Sequence, residues 1–131
     1  MIKDNISIPV SSGELIDKIS ILKIKKKKIS NSKKLININK ELSLLNKIYK
    51  KNFKNNKKII FYEKELIKIN NKLWKVEDDI RLLESKKIFN QKFIELARAV
   101  YITNDKRSDI KKKINELTGS LIIEEKSYES Y

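Results

Sequence analysis

Two stretches, LWKVEDDIR (residues 73–81) and ELARAVYITNDKR (residues 95–107), hold the only Trp and all three Arg residues of the chain. Beside 28 Lys residues, an Arg marks a position that needs the planar, bidentate guanidinium fork rather than a point charge. One chemistry follows from Trp74, Glu77, Asp78, Arg81, Arg98, Tyr101, Asn104, Asp105 and Arg107. They would form a charged groove with Trp74 and Tyr101 as aromatic walls and an Arg as ligand for a small anion, such as a sugar nucleotide or a phosphorylated glycan. The plainer alternative is a set of ion pairs between helices that fixes register, with Trp74 covering it. Exposed pairs contribute only about 0–1 kcal/mol each, so register would be their purpose.

A second candidate is IPVSSGELIDKI, residues 8–19. Ser11 and Glu14 stand at capping-box spacing, the Ser oxygen accepting from the Glu14 N–H and the carboxylate reaching back. A helix N-terminus can also bind phosphate, and Ser-Ser-Gly would permit close approach. Glu14 and Asp17, however, compete for the same donors and repel an anion, and no P-loop pattern is present. His and Cys are absent, which removes imidazole bases, thiolates, disulfides and the usual zinc sites. No catalytic residue, metal or cofactor is implied, and the reading leans against an enzyme.

The elements that must position these residues are helical, because two Gly and one Pro supply little turn chemistry. From Ile59 the apolar residues Tyr62, Leu66, Ile69, Leu73, Val76, Ile80 and Leu83 follow three-four spacing without a miss. The pattern resumes after Ile88-Phe89-Asn90 with Phe93, Leu96, Val100, Thr103, Arg107, Ile110, Ile114 and Leu117, and Gly119 stands where a left-handed cap would end it. Residues 57–118 read as a long antiparallel helical hairpin. Facing positions would sum to about 177, setting Arg98 near Asp78 and Asp79, Glu95 near Arg81 and Trp74 near Thr103. Arg107 falls on the core stripe, where it needs an acidic or ligand partner.

Leu35, Ile38, Leu42, Leu45 and Tyr49 mark another helix, and Leu15, Ile19, Leu22 and Ile29 the first. Ser30-Asn31-Ser32 and Lys54-Asn55-Asn56 are the expected turns, although Asn52 and Asn56 nearly carry the period through. The fold class expected is all-α: one helical domain over residues 1–131, an antiparallel bundle built on the hairpin. Leu121-Ile122-Ile123 is too apolar for a loose end, and two readings stand: a tail docked on the bundle, or short extended segments at both termini with this run beside Ile6, Ile8 and Val10. Tyr128 and Tyr131 near Glu124 and Glu125 also read as a partner motif.

The net charge of +14 invites nucleic acid or an anionic membrane. Lys, Ile and Asn, all encoded by A/T-rich codons, make up half of the chain, so composition alone could raise the charge. Residues 1–75 hold 20 Lys against 6 acids, whereas residues 76–131 are neutral. A basic surface would therefore lie on the first two helices, with Lys23, Lys25, Lys27, Lys50, Lys54 and Lys58 as its contacts. Binding there would be unspecific, since no base-reading motif accompanies it. No signal-peptide core and no apolar run of about 18 residues occurs, and a cytoplasmic location is the expectation.

The set IPVSSGELIDKISIL, LWKVEDDIR, LARAVYITNDKR and GSLIIEEKSY, in this order across nearly the full chain, resembles an uncharacterised bacterial and phage family, domain of unknown function 6165. The resemblance implies no catalytic or binding residues. It does imply a setting beside glycosyltransferase-type proteins, hence glycan or cell-surface polysaccharide assembly. At Lys23 the chain departs from the Glu that the family pattern implies. Three function classes follow: a non-enzymatic accessory protein with a protein partner or self-association, a binder of a small anionic ligand, and an unspecific nucleic-acid binder.

Overall fold

The computed structural model of the protein describes residues 4–131; the first three residues of the expected domain lie outside the described residues. It is all-helical: α1 (Ser12–Lys28), α2 (Ser32–Phe53), α3 (Lys57–Ser85) and α4 (Gln91–Thr118). Asparagine marks the boundaries. Asn31, Asn56 and Asn90 each cap a helix, their side-chain oxygens accepting from the N–H groups of Lys34, of Lys58 and Ile59, and of Phe93. A capping side chain replaces a backbone partner that the first helical turn lacks.

The α2–α3 break lies at Lys54-Asn55-Asn56, with Asn55 left-handed at φ 63°, so the two helices are not continuous. α3 ends at Ser85, earlier than a connection confined to residues 88–90 requires. Lys87 adopts φ 56°, and its N–H and that of Ile88 donate to the carbonyls of Glu84 and Leu83, closing the last turn. Gly119 caps α4 in the left-handed region at φ 61°, as the spacing requires.

α1 is the shortest helix and the most buried, because it touches the other three. Leu15, Ile19 and Leu22 pack on Ile38 and Leu42 of α2. Ile16, on the other side, packs with Ile59 and Leu66 of α3 and Ile114 of α4. The polar residues that α1 buries among these contacts, Asp17 and Ser20, need partners from its neighbours. α3 and α4 lie along each other for much of their length. Between Glu77 and Glu95 no residue is buried, so the end of α3, the connection and the start of α4 project beyond the core.

No strand forms among the described residues. Ile6 and Ile8 are exposed and Leu121 is almost wholly so, which corrects the expected extended pair. The tail is drawn elsewhere: Lys111 attracts the Glu124 carboxylate at 3.6 Å, and the Tyr131 hydroxyl donates to Asp105 Oδ2 at 2.5 Å. Both anchors lie on α4, so the last residues follow that helix rather than the N-terminal segment.

Candidate functional site

Asp17 is completely buried, one turn into α1, and its carboxylate organises the contact of three helices. Arg107 Nε lies 3.0 and 3.1 Å from its two oxygens, and Nη2 completes the fork on Oδ2. Asn70 of α3 donates from Nδ2 to Asp17 Oδ1 at 2.9 Å and to Ser20 Oγ at 2.8 Å. The Ser20 hydroxyl donates in turn to the Asp17 carbonyl at 2.7 Å. The acid that the core-stripe position of Arg107 demands is therefore Asp17. The hydrogen bond to Asp17 raises the guanidinium pKa above its ordinary value against the opposing effect of burial, so Arg107 keeps its charge.

Around this centre the charges are matched rather than free. Lys111 Nζ stands 2.7 Å from Glu14 Oε2, 4.0 Å from Asp17 Oδ2 and 3.6 Å from Glu124 Oε2. Glu124 also receives Lys126 at 3.1 Å, and that hydrogen bond, followed by the charge of Lys111, holds its carboxyl below the usual value of 4.5. A second buried carboxylate, Glu63 of α3, accepts a hydrogen bond from Lys23 of α1. Burial and then Glu63 push the Tyr49 phenol up to about 12.

The N-terminus of α1 uses its donors within the protein. Glu14 N–H donates to Ser11 Oγ at 3.1 Å, Gly13 N–H to Asn115 Oδ1 at 2.7 Å and Ser12 N–H to Ser120 Oγ at 3.2 Å. The Glu14 carboxylate, which a full capping box would turn back on the chain, goes to Lys111 instead. The close approach that Gly13 permits is of α4: a Cβ there would stand 2.5 Å from the Lys111 carbonyl oxygen. Ser-Ser-Gly is a docking point between helices.

The candidate residues from sequence divide into three groups. Trp74, Glu77, Asn104 and Arg107 line one cavity of about 280 Å³ with Ile21, Ile24, Asn70 and Leu73. Tyr101, Asn104 and Asp105 line another of about 390 Å³ with Val100, Tyr128, Glu129 and Tyr131, where the Tyr101 and Tyr131 rings meet edge to face at 5.2 Å. Asp78, Arg81 and Arg98 are exposed and enter neither. The expected cross-helix pairs give way to pairs within α3, Arg81 Nε with Glu77 Oε2 at 3.0 Å and Lys75 Nζ with Asp79 Oδ2 at 3.1 Å. Arg98 is exposed and forms no ion pair among the described residues. Of the basic set, Lys23 is tied to Glu63, while Lys27, Lys50, Lys54 and Lys58 are exposed and Lys25 is half-exposed.

Asp17, Ser20, Asn70, Lys111 and Glu63 were not candidates from sequence. Asp17 is indistinguishable there from an N-terminal acid that complements the helix dipole; the signal that finds it is the unmatched Arg107. The Thr103 hydroxyl is buried without a hydrogen-bond partner. Among the described residues no group of three metal-ligating side chains lies together, and no helix is long and apolar enough to cross a membrane.

Neither a search of curated proteins nor one of solved structures returns a match. The model of a family described as "Family of unknown function (DUF6165)" matches residues 6–131. As that match spans nearly the whole chain, the protein belongs to the DUF6165 family.

Proposed function

We propose that the protein is a non-enzymatic accessory protein whose protein partner covers the projecting ends of α3 and α4, the two running antiparallel as a hairpin. The observation that supports this is surface. The chain exposes 9919 Å², whereas a compact protein of 15.5 kDa exposes about 7,200 Å². Much of the excess belongs to extended ends and to helices left uncovered on one side. On the projecting part, Leu82, Ile88, Phe89 and Ile94 are exposed, and Phe89 stacks edge to face on Phe93 at 5.2 Å. Residues 77–95 carry five acids and four bases, a mixed surface that suits a protein better than a polyanion. The family resemblance makes a glycosyltransferase-type neighbour the first partner to test, on the cytoplasmic side. Co-purification of the two should be lost with Leu82→Glu combined with Ile94→Glu, while the variant keeps its helical circular dichroism. Undiminished co-purification would place the interface elsewhere.

A second reading rests on the cavity that brings Trp74, Glu77, Asn104 and Arg107 together. It would hold a small anionic ligand, a sugar nucleotide or phosphosugar, against the indole with Arg107 at its edge. Trp fluorescence should respond to such a ligand, and Trp74→Leu should abolish its thermal stabilisation; silence from every anion would remove this reading. Nucleic acid is the third, through Lys25, Lys27, Lys50, Lys54 and Lys58. Its mark is an affinity that falls steeply with salt and ignores sequence.

A further inference from the structure

α2 packs on α1 through Ile38 and Leu42, with Leu35, Leu45, Tyr49 and Phe53 at the edges. All six lie on one side of the helix. The opposite side carries Lys33, Lys40 and Lys47, spaced seven residues apart, about 10.5 Å of axis per step, and Lys54 follows as the C-cap residue. All four are exposed, and none has an ion-pair partner among the described residues. Flanking this row stand Ile36, Leu44 and Ile48, which are 67%, 37% and 47% exposed. The one acid of the helix, Glu41, sits toward its flank. The cations set between helices, by contrast, are paired: Lys23, Lys111 and Arg107 all meet carboxylates.

We propose that the outer face of α2 docks on an anionic phospholipid surface. The lysine row supplies attraction to the headgroup phosphates. The aliphatic side chains decide the nature of the polyanion. Ile36, Leu44 and Ile48 gain nothing from a nucleic-acid backbone, whose phosphates offer no apolar phase, whereas at a lipid interface they enter the acyl boundary while Lys side chains extend to the headgroups. The aromatic residues that could stack on bases, Tyr49 and Phe53, point inward, and α2 has no Arg. This docking is separate from the partner surface at the ends of α3 and α4, and either can fail without the other.

The test is co-sedimentation of the full chain with phosphatidylcholine vesicles, with and without phosphatidylglycerol. The wild-type chain should bind only the vesicles containing phosphatidylglycerol. Replacing Lys33, Lys40, Lys47 and Lys54 by Gln should weaken binding at least tenfold. Replacing Lys86, Lys92, Lys106 and Lys112 by Gln removes the same charge from exposed positions on other elements and should change binding less than about threefold. The combination Ile36→Ser, Leu44→Ser and Ile48→Ser, which leaves the charge intact, should weaken it several-fold. Circular dichroism of each variant reports that the helices remain. Three results would overturn the proposal: no binding to anionic vesicles, equal loss from the two Lys sets, or a Ser variant that binds vesicles as the wild type does. Binding to duplex DNA that falls with the α2 lysines but not with the Ser changes would assign the face to nucleic acid instead.

Discussion

At the scale of single residues, Asp17 carries the largest consequence. It is a carboxylate without solvent, and the cost of its burial is offset by the donors of Arg107 and Asn70. Removing one member of such a pair leaves the other buried and uncompensated, which costs about 3–5 kcal/mol. Arg107→Met, which leaves the buried carboxylate without its guanidinium, should lower the stability measured by urea unfolding by about that amount, and Asp17→Ala by less, because the Arg107 side chain keeps partial access to solvent. Because both remove the same interaction, the double variant should be much less destabilised than the sum. Strict additivity would mean that the two groups do not act as a pair. Arg107 also edges the cavity that holds Trp74, so the residue that stabilises the helix junction sets one wall of the ligand candidate.

At the scale of elements, two contacts between helices carry predictions. Gly13 is helical, and in an exposed helix Gly→Ala would stabilise by roughly 1 kcal/mol. Here the added methyl meets a backbone oxygen at 2.5 Å, which no rotamer change can move, so Gly13→Ala should destabilise by about 1–3 kcal/mol. A rise in melting temperature would show that α1 and α4 have room to separate. The other contact joins Tyr49 of α2 to the buried Glu63 of α3. With the phenol near 12 in the folded protein and near 10 when unfolded, the unfolded chain loses this proton first. The contribution is complete below pH 10 and fades as pH rises toward 12. Tyr49→Phe should flatten this part of the alkaline stability curve; an unchanged curve would remove Tyr49 as its source.

At the scale of the whole molecule, the C-terminal residues fasten to α4 by charge and by one aromatic contact. Glu124 has its pKa lowered by Lys126 and Lys111, so its docking is in force above pH 4.5, the unfolded value, and is lost as pH falls through the lower folded one. Hydrogen exchange along residues 121–131 should quicken on acidification while α3 and α4 stay protected. Glu124→Gln should give the quickened pattern already at neutral pH. Tail protection that is indifferent to both would assign the docking to the contacts of Tyr131 with Tyr101 and Asp105.

What the sequence determined by itself was local. Three-four spacing of apolar residues, a Ser or Asn before each helix and Gly119 after the last one give four helices and most of their boundaries, the end of α3 excepted, because capping and periodicity depend on neighbours within a turn or two of the chain. It also posed the Arg107 question, since a guanidinium on an apolar stripe has to be answered by something. The answer was decided by the tertiary structure. Asp17 lies 90 residues away, and which face of α1 turns toward α4 depends on how all four helices fit together. The same packing sends Arg98 outward, leaves Glu14 to Lys111 and draws the tail along α4, so the expected cross-helix pairs and the extended pair of termini do not form. Charge pairing between elements is set by faces and distances in space, and one-dimensional spacing carries that information only within a single helix.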